Sequence, residues 1–288
     1  MKLEGTVTAA HGRHYLVELA DGLTLPCFPR GKKSEIACGD RVSVLRSSES
    51  QGVIESVMPR QSLLYRSNEF RQKLIAANVT QIVVVVATEP SFSDELVTRC
   101  LVAAESQDIG AVLVLNKCDL TDRLASAENN LKTFSCLGYP VLHLSARRGV
   151  DDLRPYLAGH TSVLVGQSGM GKSTLINALI PHANARTREI SEALDSGKHT
   201  TTHATLYRLD SDSSLIDSPG LQEFGLHHLA MHELEHGFPE IRPLLGQCRF
   251  RNCRHDREPG CVIREAVDTG RIDKGRFAVF RTLSRETR

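Results

Sequence analysis

Two rhythms of hydrophobic and polar positions divide this chain. Through residues 1–66, apolar and polar positions alternate in five short stretches (3–8, 14–19, 24–28, 41–45 and 52–57), with Gly, Asp and Ser between them. Period-two alternation buries one face of a strand and exposes the other, so each stretch predicts a strand. Five short strands in so little chain predict a small barrel of the OB type. Residues 59–71 carry neither period and are expected to form a linker. The rhythm then changes. Residues 81–86, 111–115 and 161–165 are nearly continuous apolar runs, as in parallel strands covered on both faces. Helical spacing fills 93–106 and 124–136 between them, and that alternation predicts a doubly wound α/β sheet. From about residue 226 the pattern turns to helix, then a cysteine cluster, then a last helix over 273–285. That helix is expected to turn Phe277, Phe280 and Leu283 inward and several arginines outward. The fold class expected is multidomain α/β: an OB-type β-barrel (1–66), a doubly wound P-loop domain (67–228) and a helical metal-binding domain (229–288).

Composition narrows the partners. The 288 residues are enough for two or three domains, and 41% hydrophobic with 24% charged residues is ordinary for a folded chain. The longest apolar run, residues 82–87, falls far short of the roughly 20 needed to span a bilayer. The N-terminus has no apolar signal segment, so the expected setting is cytoplasmic, with no membrane. The net charge of +1 does not mark a nucleic-acid binder, yet from Glu240 onward twelve Lys and Arg stand against seven Asp and Glu. A basic end suits a phosphate backbone. Arg30, Lys32, Lys33, Arg41 and Arg46 offer a second such surface on the barrel.

The chemistry begins at Gly166-Gln167-Ser168-Gly169-Met170-Gly171-Lys172-Ser173-Thr174, which fits G-x-x-x-x-G-K-S between a predicted strand and a predicted helix. Glycines let backbone N–H groups wrap phosphates, and the helix N-terminus adds positive potential. Lys172 is expected on the β/γ-phosphates and Ser173 on Mg²⁺. Asn116-Lys117-Cys118-Asp119 follows the second apolar run directly. An Asp119 carboxylate accepts from guanine's ring N–H and exocyclic amine, a donor pair adenine lacks. Asn116 is expected to brace the loop and the Lys117 stem to cover the base. Ser145-Ala146-Arg147 offers a backbone N–H to guanine O6. All three motifs fall where loops leave strand C-termini, the ligand edge of such sheets.

Asp217-Ser218-Pro219-Gly220 follows the apolar pair Leu215-Ile216. Asp217 is expected to hold Mg²⁺ through water, and the Gly220 amide to meet the γ-phosphate. Upstream, Gly197-Lys198-His199-Thr200-Thr201-Thr202-His203 supplies hydroxyls for the metal, Thr201 and Thr202 foremost. The position after Gly220 is Leu221, which cannot orient a water as a glutamine does. Hydrolysis by the chain alone is therefore expected to be slow, with the missing group coming from His199, His203 or a partner. A competing reading is an RNA-binding assembly scaffold that uses GTP mainly as a structural ligand.

Three of the eight cysteines lie within fourteen residues. Cys248-x4-Cys253-x-His255-x5-Cys261 supplies three thiolates and an imidazole, a closed tetrahedral set for one structural Zn²⁺. Arg249, Arg251, Arg254 and Arg257 crowd this loop, so its own core looks poor and the metal is expected to carry much of its folding.

The motifs run base site, S-A-R, P-loop, switch I, switch II, whereas ordinary GTPases begin with the P-loop. This order, together with Pro59-Arg60-x-Ser62-x-Leu64-x-Arg66, Ala77-Asn78-Val79, His199–His203 and Glu223-Phe224, resembles the YjeQ/RsgA family of circularly permuted, ribosome small-subunit-dependent GTPases. Lys198 stands where that family usually has Arg, and Ser218 where it usually has Thr. The resemblance implies a GTP hydrolase with bound GTP/GDP, stimulated by the 30S subunit during its late maturation. It further implies 16S rRNA as a partner, a C-terminal zinc domain and a monomeric state.

Overall fold

The computed structural model describes residues 2–31, 35–67, 72–181, 183, 204–218 and 226–287. Five strands, β1 (Lys2–His11), β2 (His14–Leu19), β3 (Thr24–Pro29), β4 (Arg41–Arg46) and β5 (Gly52–Val57), pair in the order β1-β2-β3-β5-β4. A further β1–β4 ladder closes the ring, so the barrel expected from the alternation is present. The inward residues, among them Val7, Tyr15, Val17, Leu25, Val42, Val44 and Ile54, form a core of their own.

Within the expected linker at 59–71, residues 63–67 instead form a strand. Strands β6 (Leu63–Ser67) and β7 (Gln72–Ala77) pair antiparallel with Leu64 opposite Ala76. Their apolar positions are too few and too broken to give a period, and the hairpin gains its burial from neighbours distant in sequence. Leu64 and Ile75 join the core of the following domain.

That domain is a six-stranded sheet ordered β10-β9-β8-β11-β13-β12: β8 (Gln81–Ala87), β9 (Gly110–Asn116), β10 (Val141–His143), β11 (Thr161–Val165), β12 (Thr205–Arg208) and β13 (Ser214–Asp217). All neighbours are parallel except β12 against β13. Both faces are covered, which is why the strands read as continuous apolar runs. Ile82, Val84 and Val86 face α1 (Asp94–Ser106) and α2 (Leu124–Cys136). Val83 and Val85 face α3 (Arg154–Leu157) and α4 (Lys172–Leu179). Ser93 caps α1 by accepting from the Leu96 amide, and Asp94 and Glu95 complement the helix dipole in the first turn.

The C-terminal part comprises α5 (Met231–His236), α6 (Val262–Asp268) and α7 (Lys274–Glu286). Its apolar residues Phe238, Ile263, Val267, Phe280 and Leu283 enter the same core as the outer side of α1. The loop itself has little to bury, but the helices around it pack on the sheet domain. Helix α7 adds a feature that its period does not carry. Phe280 and Leu283 are fully buried, but Arg276 also points inward and is only 3% exposed. It meets both Glu240 oxygens at 2.8 and 3.1 Å, donates to Thr98 Oγ1 at 3.2 Å and stacks over Phe238. A helical period assigns arginine to water. Here the buried carboxylate of Glu240 reverses that assignment.

Candidate functional site

The C-terminal ends of the parallel strands β8, β9, β10, β11 and β13 lie along one edge of the sheet, the usual ligand edge. Gly166, Gln167, Ser168, Gly169, Met170 and Gly171 form the turn between β11 and α4, and Lys172, Ser173 and Thr174 open the helix. The turn needs its glycines. Gly166 has φ +149° and a Cβ there would lie 2.2 Å from Val85 O; Gly171 has φ +89° and a Cβ would lie 2.3 Å from Asn116 Nδ2. Lys172 Nζ donates to the carbonyls of Gly166 and Gln167 at 2.7 and 2.8 Å, which curls it over the loop. Burial pushes this ammonium down from its ordinary value and pushes the Asp217 carboxyl up, and each charge partly offsets the other's shift.

Asn116, 2% exposed, links three loops. Its Nδ2 donates to Met170 O at 2.9 Å, and its Oδ1 accepts from the Ala146 amide at 2.9 Å. The expected brace is therefore there. Of the amides in Ser145-Ala146-Arg147, that of Ala146 is engaged by Asn116, which lies buried beneath that turn. Lys117 takes φ +61°, and its Nζ donates to Glu89 O at 2.8 Å, while Gly171 lies against its Cε. The Cys118 amide donates to Leu144 O at 3.1 Å. The Ser145 hydroxyl, and then Arg148 and Arg147, hold the Asp119 carboxyl below the usual carboxylate range. Residues 145–149 form a tight turn, with the Arg148 and Gly149 amides both on Ser145 O.

Two contacts had no motif to announce them. Thr88, at the end of β8, donates from Oγ1 to Lys117 O at 2.9 Å and from its amide to Asn116 O at 3.2 Å. Gln167 Oε1 accepts from the Ser93 amide at 3.0 Å, tying the phosphate loop to the cap of α1. Among the sequence candidates, His199, Thr201, Thr202, His203, Gly220 and Leu221 lie outside the described residues.

The ligand atoms of Cys248, Cys253, His255 and Cys261 all lie within 4.8 Å of one another. A tetrahedral zinc with Zn–S about 2.3 Å and Zn–N about 2.0 Å sets S···S at about 3.8 Å and S···N at about 3.5 Å. Here Cys248 and Cys261 Sγ are 3.9 Å apart, and His255 Nδ1 lies 3.6 and 3.4 Å from them. Donor chemistry and spacing both fit a structural metal ion. Cys261 also accepts from the Arg264 amide as the N-cap of α6. Arg249, Arg251, Arg254 and Arg257 are exposed around the loop, beside Phe250 at 42% exposure.

A phosphate turn preceded in the chain by the base-site loops, on a sheet flanked by a closed barrel and a cysteine-histidine cluster, defines the class: circularly permuted P-loop nucleotide hydrolases. The family model for the RsgA GTPase matches residues 57–227. The Small ribosomal subunit biogenesis GTPase RsgA of Burkholderia pseudomallei strain K96243 is 54% identical over 99% of this chain and 92% of its own length. The protein of that name from Nitrosospira multiformis is 53% identical over 98% of this chain and 90% of its own. The crystal structure of YjeQ from Thermotoga maritima superposes with a TM-score of 0.76 at 31% identity, covering 99% of this chain and 98% of that one. YloQ, a circularly permuted GTPase, gives 0.72 at 27% identity over 99% and 95%. The chain belongs to the RsgA GTPase family and is a GTP hydrolase. Among the described residues no helix is long and apolar enough to cross a membrane.

Proposed function

We propose that the chain hydrolyses GTP at this loop edge to drive a late step in maturation of the small (30S) ribosomal subunit. The observation that carries the reading is the Asn116 network, which joins a guanine-reading loop to a phosphate loop through one buried side chain. Asp119, held ionised at neutral pH, accepts from guanine's two donors and penalises adenine. Lys117 covers the base. The amides from Gly166 to Ser173 bind the phosphates, and Lys172 neutralises the β/γ charge. Ser173 and Asp217 would hold Mg²⁺, which when bound with GTP neutralises charge developing on the phosphates. Thr201, Thr202, His199 and Gly220 are the residues proposed to close on the γ-phosphate.

Leu221 leaves the attacking water without the glutamine that orients it in Ras-like enzymes, so a partner completes the site. We assign residues 1–66 and 229–288 to holding 16S rRNA, the first through barrel residues such as Arg30, Arg41 and Arg46. The second uses the metal-held Arg249, Arg251, Arg254 and Arg257. One Zn²⁺ sits on Cys248, Cys253, His255 and Cys261. The protein works as a cytoplasmic monomer.

The test is GTP turnover by the purified protein with and without stoichiometric small subunits, with Lys172→Ala as control. A slow basal rate that rises at least about tenfold, and vanishes in the variant, is the expected result. No rise removes the partner-completed site. Wild-type turnover in Lys172→Ala removes the phosphate-loop assignment.

A further inference from the structure

The two nitrogens of His255 are held by different parts of the chain. Nδ1 faces the thiols of Cys248 and Cys261, while Nε2 meets Glu235 Oε1 at 3.1 Å. Glu235 does not belong to the 248–261 loop; it lies on α5. The contact is enclosed, with side-chain exposures of 6% for His255 and 17% for Glu235. His255 also takes φ +61°, a left-handed backbone that non-glycine residues adopt only when their surroundings impose it. Its ring packs 6.1 Å from that of Phe280 on α7.

An imidazole that ligates a metal through Nδ1 must carry its proton on Nε2. A carboxylate accepting that proton fixes the tautomer and the ring plane and makes Nδ1 a better donor. We propose that Glu235 is the positioning residue of the metal centre: it holds His255 in the ligating tautomer and ties the arginine-bearing loop to α5. This rests on reading the four residues as a metal site. The tie has a direction in the chain. Asp217 ends β13 at the phosphate edge, and Glu235 follows eighteen residues later. Helix α5, which packs on α1 of the GTPase domain, therefore grips the metal loop by one of its ligands, so the loop's exposed arginines and Phe250 are held in register with that domain.

The experiment uses the full-length protein carrying zinc or cobalt, with Glu235→Gln and Glu235→Leu. Glutamine is isosteric and keeps an oxygen to accept the Nε2 proton, whereas leucine keeps only bulk. Competition with a chromophoric chelator should show zinc affinity about 10- to 100-fold weaker in Glu235→Leu and a smaller loss in Glu235→Gln. The visible spectrum of the cobalt-substituted Glu235→Leu protein should shift, with its far-UV circular dichroism unchanged. A purely packing role for Glu235 would leave that spectrum where it is. Glu235→Leu with wild-type zinc affinity and a wild-type cobalt spectrum overturns the proposal. If the leucine variant does not fold, Glu235→Ala, which also lacks the acceptor, decides in its place: unchanged affinity and spectrum there overturn it as well. A wild-type chain that takes up no stoichiometric metal overturns the four-residue site itself, and the role of Glu235 with it.

Discussion

Replacing Asn116 with alanine is the sharpest test of how the nucleotide site is built. The side chain makes two buried hydrogen bonds, to Met170 O and from the Ala146 amide. Truncation removes both and strands a carbonyl and an amide in a closed space. A net bond is worth about 1 kcal/mol, and each stranded group costs about 1–3 kcal/mol. A water entering the vacated volume recovers part of this, so a stability loss of about 2–4 kcal/mol is expected. The same bonds hold the base loop and the phosphate loop in one arrangement before nucleotide arrives. If about 1–2 kcal/mol of the loss is reordering that GDP must reverse, GDP affinity falls about 5- to 30-fold.

Urea unfolding followed by circular dichroism gives the first number and titration calorimetry with GDP the second. Asn116→Asp keeps the acceptor for Ala146 but sets a carboxylate against the Met170 carbonyl, so it should do no better than alanine. Gly171→Ala alone should be severe, because its Cβ would meet Asn116 Nδ2 at 2.3 Å on a backbone of φ +89°. Combined with Asn116→Ala it should cost less than the sum of the two, with a coupling of at least about 0.5 kcal/mol. An Asn116→Ala protein within about 0.5 kcal/mol of wild type, binding GDP unchanged, refutes the reasoning.

Three other outcomes follow from the geometry. Asp119→Asn should move preference from GTP towards xanthosine triphosphate, because it reverses one hydrogen-bond partner; undiminished GTP preference in competition binding sinks the base-site assignment. Arg276→Met should cost about 3–5 kcal/mol in urea unfolding, since it leaves Glu240 buried without its cation. Arg276→Met with Glu240→Leu should recover much of that loss, and a single variant costing under about 1 kcal/mol shows the pair to be dispensable. Chelating the metal should loosen the 248–261 loop and lower Tm yet leave α6 and α7 helical. Phe238, Ile263, Phe280 and Leu283 each keep a burial worth about 1.5–3 kcal/mol against the sheet domain. Loss of those helices from the far-UV spectrum on chelation overturns this balance.

What could be read from the sequence follows from how local its causes are. The parallel strands were legible because burial on both faces leaves an unbroken apolar run, as in Gln81–Ala87. The phosphate turn was legible because its glycines answer to the local backbone. The barrel strands were legible because one wet face enforces alternation. The β6–β7 hairpin was not, since Leu64 and Ile75 owe their burial to residues far along the chain. The burial of Arg276 was not legible for the same reason: its partner Glu240 lies 36 residues away, and the period of α7 carries no trace of it. Thr88 and Glu235 escaped because neither sits in a motif; each acts through a residue that does. The pairing of three cysteines with His255 was legible from spacing, but the Glu235 carboxylate at the far nitrogen of that histidine was not.

The permuted order has a structural consequence. Because the chain opens the GTPase sheet elsewhere, the barrel and the metal unit flank the nucleotide edge in sequence, and each is fastened by buried polar contacts rather than a flexible tether. The barrel continues the sheet where Ala9 of β1 pairs with Thr205 of β12, the strand antiparallel to the one that ends in Asp217. It is further locked by Asp40, which is fully buried and receives Arg60 Nε and Nη2 at 2.7 Å each. Asn78 then reaches across to Gly39 O at 2.9 Å. On the other side, Arg276 binds Glu240 and Thr98, and Arg99 of α1 binds Glu286 at the end of α7. Ion pairs of this buried kind contribute little net stability when compared with apolar packing, but breaking one is costly. They therefore specify a relative arrangement more than they strengthen it. A fixed arrangement is what would let an event at the nucleotide edge reach both flanking units.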